Sequence, residues 1–360
     1  HVFRDTPPRK LRGHNHSVVH IEGVPSGDAV VTADTAGTCI VWDVASGAPL
    51  TVLQHSAEAS VRIFEVRVFS EGDRLVTLGA DGVAAIWSAR TGQALQRLVL
   101  GTAGRHQRLR LLPDGERLVT GVSLVWEDPA VSWSVAAGRA LHSFRPQSDS
   151  VRVFEVSPCG AKLVTGGFSI VSVWSLGTGL VERELFVSTQ MSYLAASWSA
   201  ARVVGSTRER VYSWGGPMGE RWRRHALAGG MRLASVALLP NTSRVAAFAT
   251  SEAALWDVDS GERVLSLHGD TVELSWGAER STTSSDGGVL AACGGRLALD
   301  MRPSVVLWAS VWDTSTGRLL HVAETGDALE APWTCSVVVG PTGSMAALAQ
   351  KRRQCALARR

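Results

Sequence analysis

Short apolar runs lead into a tryptophan at intervals along the whole chain, as Cys39 to Val41 and Ala84 to Ile86 do. Runs of β-branched and apolar residues of this kind favour buried strands. An Asp or a Ser commonly follows the tryptophan, and a Gly comes soon after it, which is typical of a tight turn. A second apolar run, such as Ala48 to Leu53, then follows. The pattern therefore predicts a strand, a turn and a returning strand.

This unit occurs seven times, each copy with a Gly five residues after the tryptophan. In the clearest copies a turn such as Pro25 to Asp28 or Ser70 to Asp73 separates two further apolar runs. Each repeat then predicts four short strands, and such a repeat overrides the two domains that length alone would suggest. The tryptophans that end the predicted third strands are Trp42, Trp87, Trp133, Trp174, Trp214, Trp256 and Trp312.

The two ends of the chain complement each other. The residues before Leu11 match the last strand of a repeat, and the C-terminal end offers Cys335 to Val339, Met345 to Ala349 and a strand near Cys355 to Ala358. The final repeat thus lacks the strand that is left over at the N-terminus. The chain begins with His1 rather than Met. We expect it to be part of a larger protein, with other domains of that parent chain among its partners.

Composition narrows the function. A net charge of +3 over 360 residues is too small to indicate nucleic-acid binding. The five cysteines are scattered, odd in number and without CxxC spacing, so they fit free thiols in a reducing compartment. We therefore expect an intracellular, cytoplasmic protein. No apolar run approaches membrane-spanning length, so no membrane partner is expected.

The combination of Gly13-His14, a Pro-x-Gly turn, a Leu-Val-Thr strand and Trp42-Asp43 resembles the WD-repeat β-propeller family. The resemblance covers nearly all of residues 1–360 and implies an all-β, single closed β-propeller of four-stranded antiparallel blades. In this family the N-terminal strand pairs with the C-terminal blade and closes the ring, which removes free sheet edges. Eight third-strand positions, the last ending near Ala358, favour eight blades. Seven, the commoner number in the family, is the alternative.

The family's structural tetrad consists of a His, a Ser or Thr, an Asp and the Trp. Only the second repeat offers all four by motif, as His55, Thr77, Asp81 and Trp87. The first repeat has Ala36 at the Asp position, and the fourth and fifth repeats have Phe168 and Arg208 there. We therefore expect most blades to be held by apolar packing rather than by a buried polar network.

No residue pattern predicts catalysis, a metal or a cofactor. His14, His16 and His20 are closely spaced, but His14 stands at the family's Gly-His position and no Cys or carboxylate lies at ligand spacing. Nucleophile elbows, phosphate-binding loops and convincing triads are missing from the sequence. A quinoprotein-like propeller enzyme is a less favoured alternative, because its tryptophan follows the turn glycine, whereas here the tryptophan precedes it.

The resemblance implies a non-catalytic scaffold that binds a peptide or protein on one face of the propeller. A nucleic-acid-binding propeller module is the alternative. On that face, arginines and aromatic residues recur near the start of the first strands, where an acidic or phosphorylated segment could bind. The candidate partner-binding residues are Arg62, Phe64, Arg105, Gln107, Arg152, Arg232 and Trp333.

Overall fold

The structure is a computed structural model, and its described part contains strands and turns. It describes residues 9–57, 60–101, 108–121, 129–147, 149–187, 190–197, 202–207, 211–215, 221–225, 233–239, 242–249, 253–258, 260, 262–267, 278–284, 287–297, 305–324, 335–339, 345–349 and 355–357.

Four consecutive strands form each antiparallel blade, in the order in which they occur along the chain. After the short β1 (Arg9–Leu11), blade 1 contains β2 (Val18–Gly23), β3 (Ala29–Asp34), β4 (Thr38–Asp43) and β5 (Pro49–Gln54). Blade 2 contains β6 (Ile63–Val68), β7 (Arg74–Gly79), β8 (Val83–Ser88) and β9 (Ala94–Val99). Blade 3 contains β10 (Arg108–Leu111), β11 (Arg117–Gly121), β12 (Ala130–Ser134) and β13 (Arg139–Phe144). Blade 4 contains β14 (Val153–Val156), β15 (Lys162–Gly166), β16 (Ile170–Ser175) and β17 (Val181–Phe186).

The second half of the chain repeats this order. Blade 5 contains β18 (Tyr193–Ala196), β19 (Arg202–Ser206), β20 (Val211–Gly215) and β21 (Arg221–His225). Blade 6 contains β22 (Leu233–Leu238), β23 (Arg244–Ala249), β24 (Ala253–Asp257) and β25 (Arg263–Ser266). Blade 7 contains β26 (Ala278–Thr283), β27 (Val289–Leu297), β28 (Val305–Asp313) and β29 (Leu319–Glu324). Three short strands remain: β30 (Cys335–Val339), β31 (Met345–Ala349) and β32 (Cys355–Leu357).

The expectation of eight blades is wrong, because the described residues form seven sheets of four strands. The remaining strands make two separate ladders of two strands each, β30 with β31 and β1 with β32. β31 lies beside β32, but no ladder joins the two in the described residues. With three residues each, β1 and β32 are too short to extend far along a neighbour. The count of third-strand positions treated these short strands as a complete repeat, although the repeated tryptophans by themselves number seven.

The pairing of the N-terminal strand with the end of the chain is present. Arg9, Lys10 and Leu11 lie opposite Leu357, Ala356 and Cys355 in an antiparallel ladder. β30 lies between the first strands of blades 7 and 1, so the two short ladders occupy the space between those blades. Both ends of the chain therefore meet at the same place in the ring.

Each repeated tryptophan stands next to the end of its third strand, as the sequence predicts. Six of the seven are buried, and Trp256 is half-buried. In six blades the pairing register between the third and outer strands shifts at the tryptophan. A shift of this kind is a β-bulge, which increases the local twist of the strand pair. The turn that follows needs a glycine, since Gly47 has a φ of 73°.

The core lies between neighbouring blades rather than within a single sheet. Trp87 of blade 2 packs with Val31 and Val41 of blade 1, and Trp174 of blade 4 packs with Phe144 of blade 3. Each blade thus buries its tryptophan against the blade before it. A ring built in this way has continuous apolar packing along its circumference.

Removing residues 1–11 tests the role of the terminal pairing. The deletion strips β32 of its partner and removes Leu11, which is 2% exposed and packs with Trp42 and Ile40. We expect a lower melting temperature, loss of cooperative unfolding, or aggregation through the free edge. The measurement is thermal unfolding by circular dichroism with light scattering. Deletion of residues 1–8 alone keeps β1 and serves as the control. Equal melting of the two truncated proteins would contradict the prediction.

Candidate binding rim

The tetrad predicted in blade 2 is formed. Trp87 Nε1 donates to Thr77 Oγ1 at 2.9 Å, and His55 Nδ1 lies 2.7 Å from the same oxygen. His55 Nε2 lies 3.2 Å from Asp81 Oδ1, which also accepts from the backbone N–H of Val83 at 3.1 Å. The chain of contacts thus links the third strand of the blade to the turn between its second and third strands.

Blade 1 contains a second complete tetrad that the motif did not reveal. Trp42 Nε1 donates to Thr32 Oγ1 at 2.7 Å, and His14 Nε2 lies 2.6 Å from that oxygen. His14 Nδ1 lies 2.9 Å from Asp34 Oδ2, while Asp34 Oδ1 accepts from two backbone N–H groups of the following turn. The expectation that only the second repeat offers all four residues is therefore wrong.

The carboxylate was missed because it comes from a different sequence position. Asp34 and Gly79 occupy the same register, each four residues after the residue that pairs with the blade's tryptophan. A Cβ at Gly79 would lie 2.3 Å from His55 Nε2 and 2.5 Å from Asp81 Oδ1, so the tetrad fills that space. In blade 1 the Asp stands at the glycine position and Ala36 stands at the Asp position. The two blades therefore place a carboxylate at equivalent points from positions two residues apart.

Blade 4 uses a third source of carboxylate. Asp149 precedes the first strand of this blade, and its two oxygens accept from the backbone N–H groups of Ser150, Phe168, Ser169 and Ile170 at 2.7–3.0 Å. A Cβ at Gly167, which shares the register of Gly79, would lie 2.5 Å from this carboxyl group. Phe168 stands where the motif has an Asp, but the turn still has a carboxylate acceptor, because Asp149 binds its backbone N–H groups.

The hydroxyl partner of the tryptophan divides the ring into two halves. Trp133 and Trp174 donate to Thr120 and Thr165, both at 2.9 Å, as the tryptophans of blades 1 and 2 do to their threonines. At the same register, counted from the tryptophan pair, the later blades have residues without a hydroxyl: Gly205, Ala247 and Ala292. Blades 5 to 7 therefore lack the threonine that accepts from the tryptophan in blades 1 to 4. The expectation that most blades do without a buried polar network is wrong, because four of the seven blades contain this hydrogen bond. Arg208, the predicted departure in the fifth repeat, lies outside the described residues.

Burial and hydrogen bonding act in opposite directions on these carboxyl groups. Burial alone would raise the pKa of Asp34, but the hydrogen bond with His14 and those from the turn hold it below its ordinary value. Asp149 behaves in the same way, because its four backbone donors outweigh burial and lower its pKa. Burial lowers the pKa of His55, and the neighbouring Asp81 only partly offsets this. Both Asp carboxyl groups are therefore charged near neutral pH.

A row of charged side chains joins the first strands of blades 1 to 4. Arg67 pairs with Glu22 at 3.1 Å and with Glu65 at 2.5 Å. Arg110 pairs with Glu65 at 3.0 Å and with Glu155 at 3.0 Å. Each pair between neighbouring blades spans 45 residues, so the charges alternate from one repeat to the next. We call these five residues the central charge row.

Glu65 is the centre of this row. Its side chain is 8% exposed, and its carboxylate also accepts from the backbone N–H of Leu109 at 2.5 Å. Burial would raise the pKa of Glu65, but Arg67 and Arg110 together with this N–H lower it to about 2. The residues at the register of Glu155 in blades 5 and 6 are Ala195 and Ala237. The central charge row therefore extends over blades 1 to 4. The sequence analysis missed it because its ion pairs join different repeats and belong to no motif.

The binding rim is the set of side chains near the start of the first strands. Arg62 is exposed and its guanidinium carbon lies 5.9 Å from the ring centre of Phe64. Arg152 is half-buried, 4.7 Å from the ring centre of Phe168. In both blades an arginine is thus supported by an aromatic ring. The other predicted rim residues lie outside the described part of the chain: Arg105, Gln107, Arg232 and Trp333.

His14, which the sequence places at the family's Gly-His position, has a structural role. His14 belongs to the tetrad of blade 1, and His20 is buried on β2, near Glu65 of the central charge row. Among the described residues, no three His, Cys, Asp or Glu side chains come together as a metal-ligand set.

Cys39 and Cys293 are buried free thiols, and Cys159 is a partly exposed one. In the part of the chain that the structure describes, no helix is long and apolar enough to cross a membrane.

The blades, the tryptophan turns and the tetrads form a β-propeller with the features of WD-repeat proteins, and the chain is similar to proteins of that class. The β-2 subunit of a guanine nucleotide-binding protein from Nicotiana tabacum is 30% identical over 117 residues, which is 31% of each chain. The β subunit from Arabidopsis thaliana is 26% identical over 39% of this chain and 38% of its own. Cilia- and flagella-associated protein 52 from Sus scrofa is 26% identical over 43% of this chain and 24% of its own.

These relatives are WD-repeat proteins, but the chain covers well under two thirds of their length. A crystal structure of the computationally designed Ika8 protein matches 97% of this chain and 98% of its own with a TM-score of 0.73. At 18% identity this match supports the fold alone. No family model matches the chain. A protein-interaction scaffold role fits the WD-repeat class at this level of detail.

Replacing the two tetrad carboxylates tests their equivalence. Asp34→Ala and Asp81→Ala each leave a buried histidine and turn N–H groups without their acceptor. We expect each change to lower the free energy of unfolding by about 1–3 kcal/mol, with the larger loss for the fully buried Asp34. Asp73→Ala, at a side chain that is 67% exposed, is the control and should cost under about 0.5 kcal/mol. Chemical denaturation measures all three, and a neutral Asp34→Ala would contradict the tetrad of blade 1.

The central charge row predicts a pH dependence of stability. Because the folded pKa of Glu65 is lowered from 4.5 to about 2, its contribution is fully present above pH 4.5 and is lost as pH falls toward 2. Glu65→Gln leaves two arginines without their shared partner and should cost about 3 kcal/mol at pH 7. The difference in melting temperature between wild type and variant should shrink as pH falls from 5 to 2. A difference that stays constant with pH would contradict this assignment. Glu116→Gln, at an exposed turn, is the control.

Proposed function

We propose that this propeller is a non-catalytic scaffold that binds an acidic or phosphorylated segment of a protein across the binding rim. The observation that carries the proposal is the pair of aromatic-supported arginines, Arg62 on Phe64 and Arg152 on Phe168. An arginine fork binds carboxylates and phosphates through two parallel hydrogen bonds, and Arg and aromatic residues are enriched where binding energy concentrates.

The charge distribution supports the rim over the centre of the ring. Arginines of the central charge row are already paired with carboxylates, so their charge is neutralised within the protein. Arg62 and Arg152 have no carboxylate within ion-pair distance among the described residues. A positive side chain that lacks an internal counter-charge, and is held against a ring, is available to an external anion. Arg105, Arg232, Gln107 and Trp333 belong to the proposed rim on sequence grounds and lie outside the described residues.

A protein partner is favoured over a nucleic acid. A net charge of +3 gives little of the long-range attraction that phosphate backbones require. The free cysteines support an intracellular, cytoplasmic setting, in which such a scaffold would meet its partner. Other domains of the parent chain are part of the same proposal.

Charge reversal on the rim tests the proposal. Arg62→Glu combined with Arg152→Glu should abolish most capture of the partner in a pull-down from cell extract, because both proposed anion contacts become repulsive. The effect should be larger at low salt, and the melting temperature should not change, since neither arginine belongs to the central charge row.

The matched control reverses two exposed arginines at the opposite end of the blades, Arg90→Glu with Arg139→Glu. Both sit near turns between third and outer strands, so the change in net charge is the same. Capture that survives nuclease treatment indicates a protein partner, and capture that is lost on nuclease treatment indicates nucleic acid. Undiminished capture by the rim variant would show that this face is not the binding site.

A further inference from the structure

A neutral side chain occupies the edge of Arg152 that would bind a partner's carboxylate. We infer that Gln190 is an internal, displaceable ligand of Arg152, and that an acidic segment binds by taking its place. The inference rests on the proposed function and adds a specificity-determining residue to that site. It also limits the ligand chemistry to a carboxylate on an extended segment, because the contact replaced is that of a planar side-chain amide.

The contact between the two residues has the geometry of a forked interaction. With its amide oxygen turned toward the guanidinium, Gln190 accepts from Arg152 Nε at 3.1 Å and from Nη2 at 3.2 Å. These two atoms form the side edge of the guanidinium that carboxylates bind with two parallel hydrogen bonds. A single amide oxygen must serve both donors, whereas a carboxylate offers one oxygen to each. The site is therefore shaped for a ligand with one more oxygen than Gln190 supplies.

The relative strengths of the two contacts make Gln190 displaceable. A carboxylate adds an opposite charge and a second acceptor oxygen to the contact with the guanidinium, whereas the amide of Gln190 is neutral and offers one oxygen, so the carboxylate contact is the stronger one. Gln190 is exposed, so its amide can bond to water once it leaves the arginine, and little is lost in the exchange. Arg152 itself stays in place, because the ring of Phe168 lies 4.7 Å from its guanidinium carbon. The arginine is thus held ready for an incoming carboxylate without being neutralised.

The two acidic residues nearest in sequence, Asp149 and Glu155, do not compete for this arginine, and Glu155 pairs with Arg110 at 3.0 Å. Asp149 precedes Arg152 by only three positions, yet its carboxylate oxygens face four backbone N–H groups. Burial and these donors together leave Asp149 committed to the turn that carries Phe168. A salt bridge between Asp149 and Arg152 would have neutralised the guanidinium and left it unable to bind an external carboxylate. Gln190 instead satisfies the guanidinium while leaving its charge uncompensated.

An exposed apolar side chain lies at the same end of blade 4 as Arg152, and it indicates what else the ligand would contain. Phe186 is 79% exposed and lies opposite Ile170, two residues after Phe168. β14, which follows Arg152, and β17, which ends at Phe186, are the two edge strands of blade 4, so a segment that crosses this end of the blade can contact both side chains. The chemistry that fits is a carboxylate flanked by apolar residues, supplied either by Asp and Glu side chains or by a chain terminus.

A binding assay with a defined probe tests the exchange. The probe is a fluorescein-labelled, C-terminally amidated peptide of alternating Asp and Leu, measured by fluorescence anisotropy on the whole chain. Gln190→Ala removes the internal competitor and should tighten binding by about threefold to tenfold. Gln190→Glu supplies an internal carboxylate and should weaken binding by about tenfold or more. Gln93→Ala, in an exposed turn at the opposite end of blade 2, is the control and should change nothing.

The carboxylate source is distinguished with two further peptides. An amidated peptide of alternating Asn and Leu should not bind, and the same peptide with a free C-terminal carboxylate should bind only if a chain terminus fills the site. The Gln190 variants must change the affinity of whichever peptide binds. A Gln190→Glu protein that binds the probe as tightly as wild type would overturn the inference.

A second measurement needs no ligand. The rate at which phenylglyoxal modifies Arg152, followed by peptide mass spectrometry, should rise in Gln190→Ala and fall in Gln190→Glu. Unchanged rates in both variants would overturn the Gln190 contact even if the probe binds. If the probe binds and Arg62→Glu with Arg152→Glu abolishes binding, but both Gln190 variants behave as wild type, the proposed function stands and this inference fails. If neither wild type nor any variant binds the probe, this inference fails, and the proposed function is decided by the charge-reversal pull-down.

Discussion

The burial of one tryptophan per blade against the preceding blade is the interaction on which the rest of the structure depends. Trp87, Trp174 and Trp312 each pack with apolar residues of the blade before them, so no blade completes its core alone. The bulge at most of these tryptophans twists the outer strand pair, and the turn glycine follows from the same geometry. At the ends of the chain the same constraint applies, and Leu11 packs with Trp42 there.

The turn between second and third strands imposes a looser requirement, which the chain meets in several ways. Its backbone N–H groups need a buried acceptor, and a carboxylate supplies it from Asp34 in blade 1, from Asp81 in blade 2 and from Asp149 in blade 4. What is preserved is the position of the charge in space, since the residue that carries it moves along the sequence. Gly79 and Gly167 leave room for the carboxylate where another residue provides it. A repeat can therefore diverge in sequence without losing the contact.

Arginine has two distinct uses in this propeller. At the centre, Arg67 and Arg110 bridge carboxylates of neighbouring blades. Their charge is neutralised by ion pairs that join the first strands. On the rim, Arg62 and Arg152 are held by aromatic rings instead, which positions the guanidinium but does not neutralise it. A buried ion pair broken on one side is costly, so the central arginines tolerate little change. The rim arginines Arg62 and Arg152 have no such ion pair among the described residues, and for that reason the proposed binding site includes them.

The sequence by itself determined the repeat, the strands and the position of each tryptophan, because period, apolar runs and turn residues act locally along the chain. It also placed the blade 2 tetrad of His55 and Asp81, whose members follow the family spacing. Tertiary structure alone decided the number of complete blades, since short strands at the two ends are counted by pairing and not by motif. It likewise decided that Asp34 joins a tetrad and that Gln190 meets Arg152, because these partners are brought together by register and loop path. Contacts between residues far apart in sequence depend on how the blades meet, and no local pattern encodes them.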